Sequence, residues 1–223
     1  MKTTKPFNKA KFDEAMHPRG KGEHGGEWIK KLSDSMDGLI TGKDVPKHVP
    51  SDGVIKDVHE ADAIMEYTGG GYEDINGHLR FGDKHEFGYL DRPVVDESIK
   101  GLDAVFEKIP PLERPVEVKR GVSNSNKMFG AVGSRVGKEF TDKGYVSTTH
   151  HASERYGSIE FGGTDKADLS IVLPKGAKGF QPITHGQFGD KEGEVLLPRG
   201  SRFKVVKDFM DGALRRLELE LVL

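Results

Sequence analysis

Cysteine is absent from this chain of 223 residues. Disulfides, a thiolate nucleophile and every zinc site built on sulfur are thereby excluded, and the redox compartment stays open. No apolar run approaches the roughly 18 residues of a membrane-spanning helix, so no membrane partner is expected. A dominant charge is also missing. The net charge is −2, from 34 basic and 36 acidic residues, and gives no general pull toward nucleic acid. The N-terminal lysines are followed by no apolar h-region, so no secretory signal is expected. An internal repeat is missing too. What is present is a composition of 31% charged and 35% apolar residues, which fits a soluble globular protein. Its length suits one large domain, or one domain with a small appendage. The 29 glycines fall mostly between periodic segments and read as turns and caps.

Residues 1–50 stand apart. Positions 1–31 hold eight Lys/Arg against four acids, a net of +4 that leaves −6 for the remainder. Apolar residues are few there, so the segment is expected to be flexible and to lack its own core. The domain proper is expected over 51–223. From Asp57 the pattern turns helical. Asp57 and Glu60 have capping-box spacing, and Val58, Ala61, Ile64 and Met65 fall on one face. Gly69-Gly70-Gly71 is expected to end that helix. A second helix is expected over about 72–80. A third is expected over about 94–109, with Ile99, Leu102, Phe106 and Ile109 on one face and Pro110-Pro111 as its stop.

After residue 115 the period shifts to two. Strands are expected at 115–121, 143–149, 168–173, 192–197, 201–207 and 213–222, with a hairpin at Asp211-Gly212. Helices first and strands later predict an α+β fold.

Three of these strands carry polar groups of chemical interest. Alternation puts Arg120 on the face of Val116 and Val118. A charge at the end of an apolar face needs a partner, either a carboxylate or a phosphate gripped by the guanidinium fork. Tyr145, Ser147 and Thr149 share a face of the next strand. Glu192 and Glu194 share a face of a later one, where like charges hinder ionisation. Each feature alone has an ordinary structural reading: an ion pair, a β-forming residue, a wet strand edge. The adjacent pair His150-His151 would face opposite ways on a strand, with no carboxylate at ligand spacing, so no metal is expected.

Together, an arginine, a serine and a Glu-x-Glu on successive strands resemble the R-S-E class of mono-ADP-ribosyltransferases, in particular the exoenzyme family that includes the enzymatic components of binary actin-modifying toxins. Tyr67-Thr68-Gly69, followed by Tyr72 through Arg80, is similar to that family's YTG and Y-x-x-IN-x-x-LR helix. Lys119-Arg120-Gly121 resembles its first strand motif, and Phe140 through Thr149 its F-x-x-x-GY-x-STS strand, with Thr149 in place of the usual Ser. Leu173 through Gly176 and Glu192 through Gly200 resemble its closing segments. The likeness covers about 55–222. Within the basic segment, His17-Pro18-Arg19-Gly20 resembles stretches of some phage head-associated proteins.

The resemblance implies N-terminal helices packed on a two-sheet β core that encloses an NAD cleft. NAD would be consumed, and no metal is implied. Glu194 would hold the ribose 2′-hydroxyl and offset the cationic transition state, and Glu192 would prepare the acceptor. The family's ExE form, in contrast to QxE, goes with an arginine acceptor on a target protein. Arg120 and Ser147 would bind NAD, with Tyr72, Asn76 and Arg80 as the other wall of the cleft. Phe188, in the loop before the glutamates, would meet the target, and Tyr156 or Phe161 would stack on nicotinamide. The setting implied is a soluble monomer in the cytoplasm of the producing or infected cell, with virion delivery as a second setting. Two other functions remain open: an NAD glycohydrolase on the same fold, and a non-enzymic virion-associated binding protein.

Overall fold

A computed structural model describes residues 37–151 and 165–223. The His17-Pro18-Arg19-Gly20 segment, Tyr156 and Phe161 lie outside the described residues.

Helix α1 spans Val58–Glu66. The Asp57 carboxylate caps it by accepting from the His59 and Glu60 amides at 2.9 and 3.2 Å. The reciprocal half of a capping box does not form, because the Glu60 carboxylate is drawn to Lys108 Nζ at 2.5 Å. The buried face is Glu60, Ala63 and Ile64, while Val58 and Met65 are exposed. This corrects the expected face. The shift follows from close helix packing: a Cβ at Gly101 would come within 2.6 Å of Ala63 Cβ, so α1 meets its neighbour at Ala63.

The three glycines do not end the helical path. Tyr67–Gly71 form one wide turn kinked at Gly69, and α2 (Tyr72–Phe81) starts at once. Helix α3 spans Arg92–Lys108, with Asp91 as cap and Pro93 in the first turn. It buries Val95, Leu102, Val105 and Phe106.

Strand β1 (Val116–Val122) leads to the short α4 (Ser125–Phe129). The remaining strands are β2 (Glu139–Thr141), β3 (Val146–Thr149), β4 (Ala167–Leu173), β5 (Glu194–Leu197), β6 (Arg202–Asp211) and β7 (Leu214–Val222). Sequence periodicity does not mark β2, which is three residues long and mostly exposed. The sheet order is β2-β6-β7-β4-β1-β3-β5, with β4 and β7 parallel and the other neighbours antiparallel. The β6–β7 hairpin turns at Gly212, whose φ is +62°.

The α+β class stands as expected. The two expected sheets are joined into one seven-stranded sheet among the described residues. The join is narrow: β1 and β3 are in register at the single pair Lys119↔Thr149. One core cluster packs the β1, β4, β6 and β7 side chains with Val45 and Val49. A second packs α1, α2 and α3 with Tyr145, Phe180 and Leu196. The packed chain therefore reaches upstream of residue 51. Ile40 bridges to Val116, and Val45 is fully buried.

Candidate active site

The site forms where β1, β3 and β5 run side by side. Its strands set the register: Thr149 pairs with Glu194 and Ser147 with Leu196.

Glu194 opens β5 and is 9% exposed. Burial pushes its pKa up to about 7. The Ser147 hydroxyl donates toward the carboxylate and pulls the pKa back, the charge of Glu192 raises it, and Arg120 lowers it. So Arg120, Ser147, Glu192 and Glu194, picked from three separate motifs, are brought into one electrostatic neighbourhood.

Arg120 projects from β1 on the face of Val116, Val118 and Val122, over a hollow lined by Phe129, Phe140, Val146 and Leu169. Burial lowers its pKa, and the neighbouring Arg80 adds to that, while Tyr67, Asp142 and Glu194 work against it. Its Nη1 is buried without a hydrogen-bond partner. A buried cationic donor left over is costly unless something accepts from it. An anionic group such as a pyrophosphate oxygen fits that donor.

Glu192 does not share a strand with Glu194. This corrects the expectation that alternation aligns the two. The chain turns at Gly193, whose φ of +56° lies in the left-handed region. The Gly193 amide donates to Asp190 O at 3.1 Å and closes the turn. Glu192 is half-buried, and burial raises its pKa. Thr149, the departure from the family's Ser, has a use: its hydroxyl donates to Glu192 O at 2.8 Å.

Alanine at 193 is expected to destabilise the protein by about 1–3 kcal/mol, since a Cβ in this conformation is strained. It would also overlap the His151 ring. Urea unfolding of Gly193→Ala checks this.

The wall expected from α2 is only partly as anticipated. Tyr72 is exposed, and its hydroxyl contacts Glu73 at 3.2 Å. Asn76 is buried. Its amide donates to the Tyr67 hydroxyl at 3.0 Å and its oxygen accepts from the Tyr145 amide at 2.8 Å. Arg80 grips Asp142 with two bonds of 2.9 Å. Asn76 and Arg80 therefore clamp α2 to the chain entering β3. Gly144 admits the clamp, because a Cβ there would overlap Asn76 Oδ1.

Sequence reasoning gave no role to two members of this cluster. Tyr67 is 2% exposed and its hydroxyl donates to Tyr145 O at 3.2 Å. It also lies within electrostatic reach of Arg120, Glu194 and Arg80. Asp142 is bonded to Arg80 and lies within electrostatic reach of Arg120. Both occur inside motifs quoted above, and that was the available signal.

The loop before the glutamates is anchored from afar. Asp52 is fully buried, and its carboxylate accepts from the Thr184 and His185 amides at 2.8 and 2.9 Å. The Gln187 amide donates to Thr68 Oγ1 at 2.8 Å. Phe188, next along, is 44% exposed. Among the described residues no group of three or more His, Asp or Glu is arranged to hold a metal ion. No described helix is long and apolar enough to cross a membrane.

Comparison with family models gives a family, and comparison with solved structures gives a fold. The model of the ADP-ribosyltransferase exoenzyme family matches residues 25–222. No curated protein sequence matches the chain. Among solved structures, Plx2a, an ADP-ribosyltransferase toxin from Paenibacillus larvae, is similar at 19% identity and a TM-score of 0.59, over 89% of this chain and 94% of its own. C3stau2 from S. aureus, solved with NAD, is 17% identical with a TM-score of 0.61, over 82% of this chain and 97% of its own. The ADP-ribosyltransferase Vis, solved in complex with agmatine, is 17% identical with a TM-score of 0.56, over 88% of this chain and 86% of its own. At these identities the structural likeness shows the fold.

Proposed function

The chain belongs to the ADP-ribosyltransferase exoenzyme family, whose members transfer ADP-ribose from NAD, and from that premise we propose that its acceptor is an arginine side chain of a target protein. The observation that carries this reading is the Glu-Gly-Glu turn. It presents one buried carboxylate beside Ser147 and Arg120, and a second, half-buried carboxylate one glycine away.

Each residue then has a role in the reaction. Arg120 holds the pyrophosphate through the donor it has to spare. Ser147 and Glu194 hold the nicotinamide ribose. Cleavage of the glycosidic bond builds positive charge on that ribose, and a carboxylate bonded to its 2-hydroxyl strengthens its hold as the charge grows. Nicotinamide leaves as a neutral molecule, so no general acid is needed. Asn76 and Arg80 brace the cleft through the clamp on Asp142 and Tyr145. Tyr72, turned outward, sits at the rim.

Glu192 faces the acceptor. A guanidinium stays protonated in water, so it needs a carboxylate both to orient it and to take a proton as it attacks. The fork of the guanidinium matches a carboxylate in two-bond geometry. Phe188 meets the target, since an exposed aromatic on an anchored loop is suited to contact. The agmatine bound to Vis, a free guanidine, supports this acceptor class. The catalytic unit would run over 38–223.

The pH dependence has a definite sign. Glu194 must be ionised to offset the developing cation, and its pKa is about 7 in the free protein. We expect kcat/KM for NAD cleavage to fall below that pH and level off above it. With the cationic nicotinamide ring of NAD bound close by, the inflection in kcat should move lower, because a nearby positive charge favours the carboxylate. A kcat/KM profile that is flat between pH 5 and 8 would contradict this role. The acceptor is tested with peptides presenting Arg or Asn. Mass spectrometry is expected to place one ADP-ribose on Arg, and addition to Asn alone would overturn the arginine reading.

A further inference from the structure

The pair His150-His151 takes part in no step above. On a continued strand the two side chains would face opposite ways. Strand β3 stops at Thr149, and the rings instead stack, with centroids 4.8 Å apart and planes 26° apart. This corrects the expected orientation, and it brings both rings over one residue. A Cβ at Gly193 would overlap the His151 ring and lie 3.0 Å from His150 Cε1.

The backbone beneath the rings is tied to the same segment. The His150 amide donates to Gly193 O at 2.9 Å. The Thr149 hydroxyl donates to Glu192 O and accepts from the His151 amide at 3.0 Å. Residues 149–151 thus hold the carbonyls on both sides of the Glu192–Gly193 link, and the imidazoles fill the space above it.

Glycine has the widest backbone freedom of any residue. Left open, Gly193 would let Glu192 swing relative to Glu194, which its strand ladder holds. Burial and the neighbouring His151 lower the pKa of His150, which favours its neutral ring in the stack.

We propose that the His150–His151 stack positions the acceptor step: it fixes the Gly193 turn and so aims Glu192 at the incoming nucleophile. NAD cleavage by Glu194, on the far side of the glycine, depends on it much less. The proposal rests on the reading of Glu192 as the acceptor-side carboxylate.

The test compares the parent, the double variant His150→Ala/His151→Ala, and His151→Phe, which keeps a ring over Gly193. Release of nicotinamide to water and transfer to agmatine are measured side by side. The double variant is expected to lose about tenfold in kcat for transfer, with hydrolysis and the KM for NAD within about twofold, because a small misplacement affects the oriented step most. His151→Phe should recover most of the transfer. Equal loss of both activities, or loss of neither, overturns the proposal.

Hydrogen exchange at the Gly193 amide needs no acceptor. Protection should fall in the double variant and persist in His151→Phe. Unchanged protection in the double variant overturns the proposal whatever the acceptor proves to be. A parent that releases nicotinamide but never labels agmatine counts against the arginine reading instead, and the exchange result still decides the role of the stack.

Discussion

Glu194→Gln is expected to lower NAD turnover about 10²–10³-fold while NAD binding persists. The substitution keeps size and shape and removes only the charge. On the proposed reading, NAD is held mainly by Arg120 at the pyrophosphate, which the change leaves alone. What disappears is the interaction that grows as the ribose becomes cationic, so the loss should fall on kcat and on kcat/KM alike. Retained turnover would remove Glu194 from the chemistry.

The same variant should be more stable than the parent at alkaline pH. The pKa of Glu194 rises from 4.5 to about 7 on folding, so the fold favours the protonated form. That contribution to stability is complete below pH 4.5 and is lost as the pH rises through about 7. Above that, the ionised carboxylate costs on the order of 3 kcal/mol. Glutamine carries no such cost. Thermal unfolding at pH 5 and pH 8 should show a gain for Glu194→Gln at pH 8 and little at pH 5. An active-site carboxylate that destabilises its own fold is a common accompaniment of catalysis.

Glu192→Gln should separate the two halves of the reaction. Nicotinamide release to water is expected to continue near the parental rate, while transfer to a guanidine falls about 10²-fold, the usual scale of a lost general base. Glu192 is half-buried at the turn and sits one glycine outside the strand that carries Glu194. A side chain placed there can reach an incoming group without touching the bond that breaks. Equal loss of hydrolysis and transfer would place Glu192 in the bond-breaking step or in the fold.

Much of this site was legible in the sequence because its motifs are local. Arg120, Ser147 and Glu194 each sit on a strand marked by its own apolar or β-branched residues, and β1, β3 and β5 bring them together. Glu192 was legible as a residue but not in its placement, since a positive φ at one glycine breaks strand alternation and leaves no periodic trace. The clamp of Arg80 on Asp142 joins residues 62 apart, and the anchor from Asp52 to Thr184 joins residues 132 apart. No local pattern encodes such pairs. The same applies to β2, whose three residues owe their strand to the edge of β6. The face of α1 was misread because Gly101 on α3 draws Ala63 inward, a fact about the neighbouring helix and not about α1.

The most direct test of arginine-type transfer is the movement of labelled ADP-ribose from NAD onto agmatine by the parent protein, with nicotinamide release followed in the same tube. Label on agmatine in step with nicotinamide release is the predicted result. Nicotinamide released with no label on the guanidine, at agmatine concentrations well above those of NAD, would contradict it.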